Sequence, residues 1–185
     1  LRTDCDSEAL LRLYKSKGEE YIMKEIPGSY SAVIFDAERD QAIVLRDRHG
    51  IKPAWLGEKD GKPLVASETY ALEKNGAKIR RPVLPGEILY IWLNGKLDRI
   101  QAVQPQPKYC FFEDNYIQDP RSEGVREARF RLGQAMASEF NPGDIDVVTY
   151  VPRCPEFVAL GYAEGIGDGE KYKDIFYKIT DARSF

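Results

Sequence analysis

The chain has 185 residues, of which 43% are hydrophobic and 31% charged, enough to build one large folded domain or two small ones. Lys and Arg number 27 against 30 Asp and Glu, and the net charge of -3 argues against a nucleic-acid partner, since no cationic excess exists to displace counterions from phosphates. No apolar run approaches the roughly 18 residues of a membrane span, and the polar start Leu1-Arg2-Thr3-Asp4-Cys5-Asp6 carries no signal peptide, so a cytoplasmic location is expected. Cys5, Cys110 and Cys154 are odd in number and far apart, which fits neither a disulfide framework nor a paired-cysteine zinc site. His49 is the single histidine. The chain opens on Leu1, so processing, truncation or continuation upstream is expected.

In chain order, Thr3, Asp4, Asp6 and Ser7 are N-cap types ahead of Glu8 and the apolar Leu10, Leu11, Leu13 and Tyr14, a pattern that predicts a helix. A second short helix is predicted over 21–26, stopped by Pro27-Gly28. The period then shortens to that of strands over 30–35 and 41–45, separated by the polar turn 36–40. Further strands are predicted at 54–56, 64–66 and 87–92, with hairpin turns at Asp60-Gly61 and Asn94-Gly95 and a short helix over 68–74. The basic stretch from Lys74 to Arg81 reads as solvated surface. Gln104-Pro105-Gln106-Pro107 breaks the pattern and reads as a linker. Val125, Ala128, Leu132, Ala135, Met136 and Phe140 then recur at helical spacing, 146–151 reads as a buried strand, and a helix follows over 156–163. This second stretch is too short to close an α/β domain.

Three motifs occur in order: Arg46-Asp47-Arg48-His49-Gly50-Ile51-Lys52-Pro53, Ala66-Ser67-Glu68 and Pro85-Gly86-Glu87. Their succession resembles the second half of class II glutamine amidotransferases, which use an N-terminal cysteine as nucleophile. Cys110-Phe111-Phe112-Glu113, Tyr116, Pro120, Ser122, Arg129, Leu132-Gly133, Val151-Pro152 and Ala159-Leu160-Gly161-Tyr162-Ala163 narrow the resemblance to amidophosphoribosyltransferases. It implies an α+β chain. Residues 1–103 would be the second half of an αββα sandwich, 104–122 a linker, and 123–185 the start of a type I phosphoribosyltransferase α/β domain.

By that resemblance the activity is glutamine hydrolysis with transfer of the ammonia to phosphoribosyl pyrophosphate, the first step of purine synthesis. The nucleophile, the α-amine that serves as its base and the oxyanion donors belong to the first half of the domain, so no catalytic residue is expected in this chain. Asp6 matches the aspartate that binds the α-amino group of glutamine; read from the residues alone it is equally a helix cap or first-turn acid. Cys5, away from any histidine in sequence, reads as incidental. Lys178 and Arg183 match basic positions of a loop that closes over the ribose pyrophosphate, or else belong to a solvated tail. Cys110 matches an iron–sulfur ligand of some relatives, but one thiolate does not hold a cluster. Mg2+ would accompany phosphoribosyl pyrophosphate if the transferase site were completed.

Three segments depart from the family. Asp119-Pro120-Arg121-Ser122 stands where Arg-Pro-Asp-Ser is usual, and Pro152-Arg153-Cys154-Pro155 where Pro-Asp-Ser-Gly is usual. The loop around Ile179 and Thr180 is short and lacks Asn-Arg. The expected partners are glutamine and either a companion chain carrying the N-terminal Cys half-domain or a second copy of the chain. The alternative is a non-catalytic relative that binds or scaffolds.

Overall fold

A computed structural model describes residues 3–140, 142–152 and 154–180. The chain divides into two compact units, Leu1–Cys110 and Phe111–Phe185.

The first unit opens with helix α1 (Asp6–Lys17) and helix α2 (Glu19–Glu25). Asp6 and Glu8 lie in the first turn of α1 and Lys15 and Lys17 in the last, each sign placed against the opposite end of the helix dipole. Gly18, at φ 82°, turns the chain between the two helices. Two antiparallel sheets follow. Strands β1 (Ser31–Asp36), β2 (Gln41–Arg46), β6 (Glu87–Trp92) and β7 (Leu97–Gln101) form one, in the order β1-β2-β6-β7. Strands β3 (Trp55–Lys59), β4 (Lys62–Ala66) and β5 (Lys78–Pro82) form the other, in the order β4-β3-β5.

Alternation along the strands decides which layer each face meets. Ile34, Ile43, Leu45 and Ile88 point to the helices and pack with Ile22 and Met23 of α2. Val44 and Leu89 point the other way, onto Ala54, Leu56 and Val83 around the second sheet. Ile43, Leu45, Ile88 and Leu89 are fully buried, each contributing about 1.5–3 kcal/mol by area. On the far side of the second sheet, Leu72 of helix α3 (Thr69–Lys74) lies so close to Gly57 that an added Cβ would meet it at 3.1 Å. The layers therefore run helices, sheet, sheet, helix, an αββα order.

Two features qualify the sequence reading. The basic stretch before Arg81 is strand β5, because its charges find partners on neighbouring strands: Arg80 pairs with Glu58 at 2.8 Å and Arg81 with Glu87. At the other edge, β1 has β2 on one side, and Val33 and Phe35 on its inner face are 60% and 58% exposed.

In the second unit, helices α4 (Glu123–Glu139) and α5 (Glu156–Gly165) meet backbone to backbone. A Cβ on Gly133 would stand 2.0 Å from Val158 O, and one on Gly161 would stand 2.0 Å from Phe130 O. Arg129 is fully buried and donates to Gln118 O at 2.8 Å, Asp114 O at 3.2 Å and Cys154 O at 3.3 Å, tying two segments to α4. A π-helical turn, Glu113–Ile117, supplies one of those carbonyls. The strand predicted over 146–151 is reduced to one parallel bridge, Val148 to Tyr172. A parallel strand is completed by neighbours on its ladder, and the described residues offer it only Tyr172. Asp119 and Arg121, the exchanged charges around Pro120, pair directly, Nε to Oδ1 at 2.9 Å.

Candidate functional site

The first and third of the three motifs form turns that lean on one another. Arg46 reaches from the end of β2 to donate to Lys52 O at 3.0 Å, to Gly50 O at 2.6 Å and to Val83 O. Buried Asp47 accepts from Tyr30 N at 3.0 Å and His49 N at 2.7 Å. Gly50, at φ 61°, has Pro85 against it so closely that a Cβ would lie 2.6 Å from the ring. Gly86 N donates to both Arg46 O and Asp47 O at 3.0 Å. Glu87, 2% exposed, accepts two 2.8 Å bonds from Arg81 and one of 2.7 Å from Leu84 N. His49 Nδ1 lies 2.9 Å from Gln106 O, a contact that puts the ring proton on that nitrogen. The residues after β7 are held here too, by Gln106 N to Arg48 O at 2.8 Å and Lys108 N to His49 O at 3.0 Å. Arg46, Asp47 and His49 thus bond backbone, and Glu87 bonds both the Arg81 side chain and backbone.

Asp6 stands elsewhere. It is the first residue of α1, where Cys5 takes the cap position, and it is exposed. It makes no hydrogen bond or ion pair with the described residues. With Ser7, Leu10 and Leu11 it forms one wall of a groove of about 590 Å3 whose other wall is Tyr30 to Phe35. Cys5 is exposed at the same end of α1, and backbone and side-chain hydrogen bonds from Ser7 hold its thiol below the usual range.

Farther along α1 lies a polar cluster that sequence reasoning missed. Tyr14 donates its hydroxyl to Asp36 Oδ2, Tyr90 donates to Glu19 Oε1 at 3.1 Å, and Arg39 lies 3.5 Å from Asp36 and 3.6 Å from Glu19. Burial, then the Asp36 bond, pushes the Tyr14 hydroxyl up to about 12, so it remains a donor through the neutral range. The Tyr14 bond, ahead of the amides of Arg39 and Glu38, holds the Asp36 carboxyl below its usual range. A depressed carboxyl contributes stability that is complete above its unfolded pKa of about 4 and lost as pH falls through the folded value. Tyr14→Phe is therefore expected to flatten the acid limb of a plot of denaturation free energy against pH. The available signal was a tyrosine four residues after Leu10, facing a strand that ends in an acid.

Lys178 is exposed in the segment after Tyr172, in the second unit. Arg183 lies outside the described residues. Cys110 is partly buried, and no group of three or more potential metal-binding side chains occurs among the described residues. A cluster that takes four thiolates does not fit Cys110 alone. No helix among the described residues is long and apolar enough to cross a membrane.

A family model described as a glutamine amidotransferase domain matches residues 1–90, which form most of the αββα unit. The first unit is thus part of a glutamine amidotransferase domain. Over 177 residues the chain is 35% identical to amidophosphoribosyltransferase 2, chloroplastic, of Arabidopsis thaliana, covering 89% of this chain and 31% of that protein. It is 35% identical to the amidophosphoribosyltransferase of Rhizobium etli over 182 residues, covering 90% of this chain and 36% of the relative. The solved glutamine phosphoribosylpyrophosphate amidotransferase from B. subtilis, complexed with ADP and GMP, superposes with a TM-score of 0.83 at 31% identity, covering 94% of this chain and 40% of that one. A structure titled as the allosteric regulatory enzyme of purine biosynthesis gives 0.84 at 31% identity, covering 100% and 41%. The chain belongs to the amidophosphoribosyltransferase family, and it spans about a third of the length of the curated relatives it matches.

Proposed function

We propose that this chain supplies the glutamine-binding helix and part of the layered core of an amidophosphoribosyltransferase. That enzyme would hydrolyse glutamine and pass the ammonia to phosphoribosyl pyrophosphate, the first step of purine synthesis. The observation that carries the proposal is Asp6, exposed on the wall of the groove with no hydrogen bond or ion pair to the described residues. A carboxylate held so recognises an ammonium through charge-assisted hydrogen bonds, and the α-amino group of glutamine is one.

The nucleophile would come from a segment that begins with Cys, on a companion chain or on further sequence of the same chain. Its thiolate would attack the side-chain amide carbon while its α-amine takes and returns the proton, releasing ammonia. The open side of β1 and the exposed inner-face residues Val33 and Phe35 support a covering strand at that edge, since such surface otherwise invites aggregation. Native and denatured masses from the natural source distinguish a companion chain, a longer chain and a self-assembled copy. For the transferase half, Lys178 and Arg183 remain proposed contacts to the ribose pyrophosphate. The chain carries no acid-acid-Thr-Gly phosphate loop, so Mg2+ and the pyrophosphate would depend on residues outside it.

In the complete protein, Asp6→Asn is expected to lower kcat/KM for glutamine by about 10- to 100-fold, the worth of a hydrogen bond between charged groups. Synthesis driven by added ammonia should not change, because it bypasses glutamine binding. An unchanged glutamine KM in Asp6→Asn would remove the role of this residue. A natural complex with neither activity would leave a binding role instead.

A further inference from the structure

Helix α1 carries Asp6, yet none of its residues is fully buried. Leu10, Leu13 and Tyr14 pack against the core only partly buried, so polar contacts also bear on where this helix stands. The groove beside Asp6 is bounded by α1 on one side and β1 on the other, so its width is the spacing between those elements. Past Leu11 and Phe35, which line both, a second groove of about 570 Å3 continues to Tyr14, Asp36 and Arg39. There the walls are joined: the Tyr14 hydroxyl from α1 bonds the Asp36 carboxylate at the end of β1.

The anchor of this joint is well held. Asp36 Oδ1 accepts from Glu38 N at 2.9 Å and Arg39 N at 3.2 Å, which fixes the carboxylate within the β1–β2 turn. Arg39 lies between Asp36 and Glu19 of α2, and Glu19 accepts from Tyr90 of β6. Asp6, Leu10 and Tyr14 follow at spacings of four along one stripe of α1, placing the joint about 12 Å along the axis from Asp6. The bond from Tyr14 to Asp36 thus fixes α1 about two turns from Asp6, and its loss would let the Asp6 end of the helix shift against β1.

We infer that Tyr14 is a positioning residue for glutamine recognition: by bonding Asp36 it sets the spacing of α1 from β1 and hence the place of the Asp6 carboxylate. The inference rests on the reading of Asp6 as the glutamine contact. It adds a residue that touches no substrate and acts through the helix.

The test uses Tyr14→Phe in the complete protein, a change that keeps the ring and removes the hydroxyl. The glutamine KM is expected to rise about tenfold with kcat within about twofold, as for loss of ground-state positioning. Amide exchange over 10–14 of α1 should quicken by a similar factor, with the exchange of buried β2 unchanged. Asp6→Asn is measured in parallel. If Asp6→Asn raises KM and Tyr14→Phe does not, the positioning role is overturned while the glutamine reading stands. If Asp6→Asn leaves KM unaltered, the glutamine reading fails. Tyr14 is then judged on the exchange alone, and unchanged exchange in α1 overturns the joint as well. A fall in kcat matched by faster exchange throughout the sheets marks general destabilisation and also overturns it.

Discussion

Gly133→Ala is expected to destabilise the second unit by about 3 kcal/mol or more, among the larger effects a single methyl group can have. The added Cβ would lie 2.0 Å from Val158 O, 2.7 Å from Tyr162 N and 2.9 Å from Val158 C, all backbone atoms that no side-chain rotation can move aside. The helices would have to separate, and the reciprocal contact of Gly161 with Phe130 would open with them. Gly124, near the start of the same helix, has nothing within 4 Å of its Cβ position. Gly124→Ala should therefore follow helix propensity and stabilise by up to about 1 kcal/mol. Amide exchange over α4 and α5 in the complete protein separates the two: protection should fall by a hundredfold or more for Gly133→Ala and be kept or raised for Gly124→Ala. Equal behaviour would show that backbone contact does not set the helix spacing.

Glu87→Ala should cost about 3 kcal/mol in the first unit. Glu87 is buried, and its loss would strip Arg81 of two bonds and Leu84 N of one. Arg81 is 28% exposed and can recover some hydration, which keeps the figure at the lower end for a broken buried pair. Arg80 and Glu58 are 45% and 40% exposed, so Arg80→Ala should cost no more than about 1 kcal/mol despite the same 2.8 Å separation. Thermal or urea denaturation of the two variants distinguishes them. Similar losses would mean that burial does not set the worth of these pairs.

The strands were legible where one face is buried, because alternation then follows the pleat: Ile34, Ile43, Val44 and Leu45 mark β1 and β2 unaided. Strand β5 was hidden because its sequence, Lys-Ile-Arg-Arg-Pro, is stabilised by acids on other strands, and sequence shows charges without showing their partners. The strand over 146–151 shows the reverse error. An apolar run supplies the propensity, but a ladder is a property of at least two segments. Asp6 was singled out by resemblance alone; that it lines a groove between α1 and β1 is visible only in the fold. Tyr14 was not legible as a functional residue, since a tyrosine at helical spacing reads as apolar surface until the acid opposite it is seen. The bonding of Arg129 was not legible either: nothing in a helical run announces that one arginine will collect three carbonyls from two segments.

The interlocked turns around Arg46, Gly50, Pro85, Gly86 and Glu87 have a consequence for inheritance. Selection for foldability alone suffices to keep these residues, because each loss opens a buried polar group or closes a space only glycine fits. A descendant that had given up glutamine hydrolysis would still have to retain them to fold. The signature that betrays common descent and the groups that turn over substrate can thus drift independently. Ancestry marks in such chains record an architecture that has been kept, and enzymatic competence has to be measured separately from them.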